Sequence, residues 1–173
     1  MLNNAIALEG QLETVQQAKE FLQDLTAENY QLVLKPHFVS SAGTHMRHIL
    51  DHYLALQDGI NQGLVNYNKR NRYSSLESCP QTALLEWQKI EQWLQEVSYL
   101  DANMPLTVAC ETSVNKTQNS QTQSTLAREL VFVSSHAIHH FSLLAVINSL
   151  LGSKIESNFG IAPSTATFMR QQA

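Results

Sequence analysis

Apolar residues recur at three-, four- and seven-residue intervals in four separate stretches of this chain, a spacing that calls for amphipathic helices packed face to face. Leu8, Leu12, Val15, Leu22 and Leu25 mark the first, over about residues 4–27. Met46, Ile49, Tyr53, Leu56 and Ile60 mark the second; small hydroxyl residues between Ser41 and Thr44 can cap it, and it runs to about Leu64. The third opens at Ser78-Cys79-Pro80-Gln81, which has the form of a capping box with proline in the first turn, where a missing N–H costs nothing. Leu84, Trp87, Ile90, Leu94 and Val97 follow as its buried face. The fourth, about residues 124–151, is the most apolar and stops at Gly152.

The connections are read from their composition. Pro36 breaks the chain after the first helix, and Asn66 to Ser75 reads as a polar loop. Pro105 to Cys110 is too short for a helix but rich in β-formers, and polar residues 115–125 can return as the second strand of a small hairpin between helices 3 and 4. A last short helix fits 163–170. No internal repeat is visible. The expected fold is all-α: one domain over 1–173, an up-and-down four-helix bundle.

Bulk properties narrow the function. A chain of 173 residues, 43% apolar and 15% charged, can bury a core without disulfides. A net charge of −4 gives no basic face for phosphates, so nucleic acid is not an expected partner. No run approaches the ~18 consecutive apolar residues of a membrane span, and Met1-Leu2-Asn3-Asn4 lacks the basic start and apolar core of a signal peptide. Cys79 and Cys110 stand far apart, in keeping with a reduced cytoplasm, though one disulfide stays open. The expected setting is cytoplasmic, with a homodimer left open.

Histidine is the unusual component. Of seven, six fall within 45–52 and 136–140. A helix turns by ~100° per residue, so His136 and His140, four apart, share one face. Leu126, Glu129, Val133, Leu143, Leu144, Ile147 and Leu151 lie within about a quarter-turn of that pair by the same geometry. One histidine in such a stripe is ordinarily a core residue with one hydrogen bond. Two together need partners for four ring nitrogens. His45, His48 and His52 form a second row at the edge of the other apolar stripe. Facing rows of this kind build metal sites in bundle cores, and three imidazoles suit Zn²⁺, Ni²⁺ or Fe²⁺ with positions left open. The bland alternative is a polar core of hydrogen-bonded imidazoles. There is no H-E-x-x-H, so a metalloprotease helix is not supported.

The segment Gly43 to Tyr53 resembles the part of DinB/YfiT-like proteins that supplies a first metal histidine, and Ser135 to Phe141 resembles their H-x-x-H-H segment. Tyr67 to Arg72, Arg128 to Leu130 and Phe159 to Thr165 look like one uncharacterised branch. The resemblance implies a four-helix bundle with a His₃ centre. Carried over by position, the metal ligands are His48, His136 and His140; His48 is preferred because two residues and an acid, Asp51, follow it. Family members include S-transferases using bacillithiol or mycothiol, and metal-dependent hydrolases. The arginine-glycine-glutamine often found after the last histidine is replaced here by Phe141-Ser142-Leu143, which weakens any particular thiol specificity.

The expectation is therefore a metal-dependent thiol S-transferase or hydrolase acting on a small molecule, its bound metal activating a thiolate or water. His52 and His45 are the candidate catalytic proton carriers, or else a fourth ligand or an orienting shell. The rival is a non-catalytic metal-binding or assembly bundle. His139 points off the ligand face, and Glu129 either holds a ligand imidazole or is an ordinary helix-start acid. Lys69, Arg70 and Arg72 read as a solvated loop, with an anchor for a substrate carboxylate or phosphate as the sharper alternative. Trp87 and Trp93 read as packing residues and Cys110 as a strand residue.

Overall fold

The computed structural model describes residues 8–172, so the N-terminal tetrapeptide and the first residues of the expected first helix lie outside it. The four periodic stretches form α1 (Glu9–Gln23), α3 (Ala42–Gln62), α5 (Pro80–Val97) and α6 (Leu126–Leu150). Short helices α2 (Ala27–Gln31) and α4 (Ser75–Ser78) and a terminal α7 (Pro163–Gln172) complete the helical set. The long helices pack as a ring, α1 on α5, α5 on α3, α3 on α6 and α6 on α1.

The expectation of an all-α four-helix bundle is corrected by the strands. Among the described residues there are seven helices and a three-stranded mixed sheet, β1 (Leu64–Asn66), β2 (Pro105–Glu111) and β3 (Asn119–Thr125). β2 and β3 pair antiparallel where a hairpin was expected, from Pro105 opposite Thr125 to Glu111 opposite Asn119. β1 adds to the other edge of β2 in parallel, with Val65 opposite Val108. A strand of three residues is too short for alternation to register, and its partner lies some forty positions away, so the start of the supposed polar loop gave no local sign of pairing. Two glycines permit it. Gly63 ends α3 in the left-handed region at φ 68°. Gly59 lets β1 approach, since a Cβ there would meet the Val65 Cα at 2.7 Å.

Local chemistry explains the helix ends. Ser41 caps α3 by accepting from the Thr44 N–H, and Thr125 caps α6 by accepting from that of Arg128. The capping box expected at Ser78 does not form: Cys79 occupies the cap position of α5 without a side-chain capping bond, and Pro80 begins the first turn. The first helix stops at Gln23, earlier than expected, because Thr26 caps a separate turn.

Trp87, Tyr53, Met46, Ile49, Leu94 and Phe141 are fully buried and fill the space between the long helices. Trp87 donates to the Met46 sulfur at 3.1 Å and meets Tyr53 edge to face at 5.1 Å. Trp93 is buried as well, and both cysteines are free. By length and mean hydropathy of 1.7, α6 could cross a bilayer, but it packs on α1 and α3 and buries Glu129, His140 and Asn148.

Candidate metal centre

Packing of α3 on α6 brings the two histidine rows together. One ring nitrogen from each of His48, His136 and His140 lies within 4.8 Å of the others. The His48 and His136 Nε2 atoms are 3.1 Å apart. Two nitrogens held at ~2.0–2.1 Å from one tetrahedral ion stand roughly 3.3 Å from each other, so the donor set fits a divalent metal with little adjustment. The rings meet at steep angles, 72° for His48 and His136 and 71° for His136 and His140, as converging ligands do.

Electrostatics keeps these imidazoles neutral. Burial, followed by the neighbouring imidazoles, lowers the pKa of His48 to about 2 and that of His136 to about 3. His140 is lowered to about 4 by burial, then by His45 and His139. His45 and His52 are lowered too, chiefly by burial. An unfolded chain takes up protons at imidazole near ~6.5, where the folded protein does not. Folding stability should therefore rise with pH across roughly 2–6.5, being complete above that window and lost progressively as pH falls through it. Thermal melts of the metal-free protein between about pH 4 and 7 measure this. An unchanging melting temperature would mean that the imidazoles are not held neutral.

His45 and His52 stand beside the triangle. His52 donates from Nδ1 to the His48 carbonyl at 2.8 Å, which leaves its Nε2 without a proton, and its ring centre is 4.2 Å from that of His136. The Nδ1 atoms of His45 and His140 are 3.0 Å apart, and His45 Nε2 lies 3.0 Å from the Ser40 hydroxyl. A consistent proton arrangement has His140 Nδ1–H donating to His45 and His45 Nε2–H donating to Ser40. His140 Nε2 is then left bare for a metal, and His45 orients a ligand from behind. His139 is exposed, outside the triangle, as its place on the helix requires.

Other expected residues are placed differently. Glu129 is buried, and its carboxylate is taken up by other partners than the ligand imidazoles: it accepts from the Tyr67 hydroxyl at 2.7 Å and from Ser124 at 2.5 Å. Tyr67, read from sequence only as a loop residue, stacks on His52 with ring centres 5.2 Å apart. Burial, then Glu129, pushes its hydroxyl pKa far upward. A second missed feature is the buried Asp51, which accepts from Arg47 at 2.6 Å and from the Asn71 backbone and side-chain nitrogens at 3.1 and 2.8 Å. Arg47 also donates to Glu77 at 2.7 Å. Aromatic Tyr67 amid polar neighbours was the one signal that its loop turns inward.

No family model matches the chain. Among curated proteins it is similar to FK506-binding protein 5 of Rhizopus delemar, with 33% identity over 109 residues. The match takes in 63% of this chain and 28% of that protein, so the chain spans about a quarter of the relative's length. The relative is named for binding FK506, and this overturns the expectation of a metal-dependent thiol S-transferase or hydrolase. The physical reason is that histidine spacing specifies donor atoms only. It carries nothing about what lies opposite them, whether thiol, scissile bond or peptide. The DinB/YfiT-like resemblance is not touched by this comparison.

Proposed function

We propose that the chain serves a prolyl-isomerase-type function, the direction in which its likeness to an FK506-binding protein points, and that it holds one divalent metal on His48, His136 and His140 while doing so. The observation that carries the metal is the convergence of three neutral imidazole nitrogens within 4.8 Å. Neutral imidazole is the ligand form for Zn²⁺, Ni²⁺ and Fe²⁺, and three donors leave coordination positions open. His45 and Ser40 supply the supporting hydrogen bonds that metal-bound histidines ordinarily have.

The relative itself favours a second reading. In it the imidazoles form a metal-free, hydrogen-bonded core, and the prolyl-isomerase-type function needs no ion.

One preparation separates the two. The protein, purified without a histidine tag, is titrated with Zn²⁺, and its effect on cis–trans exchange of a prolyl tetrapeptide is followed with and without the ion. One ion per chain and accelerated exchange inhibited by FK506 are expected. Acceleration without metal uptake selects the second reading. Uptake without any acceleration removes the isomerase function and keeps the metal centre.

A further inference from the structure

The loop from Tyr67 to Asn71 is fastened beside the histidines at both ends. Tyr67 stacks on His52 and donates to the buried Glu129 carboxylate. Asn71 gives two hydrogen bonds to Asp51, the residue before His52 on α3. Arg70 lies between these fixed points, half-buried, with Nη1 donating to the carbonyls of Tyr67 and Lys69.

The three cations of this loop are not equivalent. Lys69 reaches Asp58 at 3.8 Å on the surface, and Arg72 is exposed. Arg70 takes part in none of the ion pairs found among the described residues. Asp51, whose charge reaches Arg70, is itself bound by Arg47. A half-buried guanidinium with no carboxylate within ion-pair distance, on a loop that stacks on His52, keeps N–H donors for an anion beside the histidine cluster. Burial and the imidazoles lower the pKa of His48 and His136, and the Arg70 charge adds to both shifts.

We propose that Arg70 is the anchor for a small carboxylate that binds at the open positions of the metal centre, its charge paired by the guanidinium. The inference rests on the metal reading above. A planar guanidinium matches a carboxylate with two parallel N–H bonds, which an ammonium does not. The ligand is a carboxylate-bearing small molecule or a peptide's terminal carboxylate, and the loop sets which end of it faces the histidines.

The test uses the Co²⁺-loaded protein and acetate as probe, read by the visible absorption of the cobalt. Saturable spectral change with acetate is expected in the wild type. Arg70→Gln should bind Co²⁺ with the same stoichiometry and starting spectrum but weaken acetate by about 10- to 100-fold. Arg70→Lys should fall between them, while Lys69→Gln and Arg72→Gln should match the wild type. Equal acetate affinity in wild type and Arg70→Gln, or no acetate response in a protein that binds Co²⁺, overturns the proposal and leaves the metal centre standing. Absence of Co²⁺ uptake overturns the metal reading and this inference with it. Co²⁺ binding unchanged in His136→Ala places the ion elsewhere and has the same consequence.

Discussion

Replacing His136 by alanine should lower affinity for a divalent metal on the order of 10³-fold, and His48→Ala and His140→Ala should do the same. A zinc site commonly contributes ~10–16 kcal/mol, so a third of a three-ligand set corresponds to several kcal/mol. His45→Ala should cost less, about 10- to 100-fold, because it removes the partner that holds the His140 proton on Nδ1 and no donor atom. His139→Ala should leave affinity near that of the wild type, since its ring is exposed outside the triangle. Competitive titration against a chromophoric chelator gives all five constants. The order matters more than any one value. Equal losses from His139→Ala and His136→Ala would mean that the ion, if bound, sits on the outer face of α6.

Asp51→Ala should destabilise the protein by about 3–5 kcal/mol, nearer the lower figure because Arg47 keeps Glu77. Asp51 has no solvent exposure in its side chain, and its carboxylate answers Arg47 on one oxygen and Asn71 on the other. Its removal leaves a guanidinium 7% exposed with half its partners and lets the loop from Tyr67 to Asn71 come away from α3. Denaturant unfolding of Asp51→Ala, Arg47→Met and the double variant measures the coupling directly. Additive losses would mean that the pair contributes nothing as a pair. The same variant should weaken stacking of Tyr67 on His52, so the effect is expected to reach the histidine cluster as well as the fold.

Helix positions were legible because burial against a neighbour selects one face, and that selection repeats along the chain. Met46, Ile49, Tyr53 and Leu56 on α3 are fully buried at the spacing that announced them. The approach of His48, His136 and His140 follows from the same logic, since each lies on or beside an apolar stripe that must face inward. The third strand of the mixed sheet was not legible, unlike the β2–β3 hairpin. Val65 is fully buried through pairing with a strand beyond α5, and no local pattern within Leu64–Asn66 encodes that partner. Glu129 shows a subtler gap: its inward place on α6 was readable, but its attachment to Tyr67 and Ser124 depends on two segments meeting there.

The amino-acid sequence by itself determined which residues are periodic, hence the four long helices and the two histidine faces, because periodicity is a property of neighbours three and four positions apart. Tertiary structure alone decided the rest. It set the parallel addition of β1, the burial of Asp51 between Arg47 and Asn71, the His45–His140 contact and the placing of Arg70 outside every ion pair found among the described residues. Each joins groups that lie on different segments or around the far side of a helix. Such pairings take their energy from desolvation and geometry at close range, and both exist only once the helices have packed.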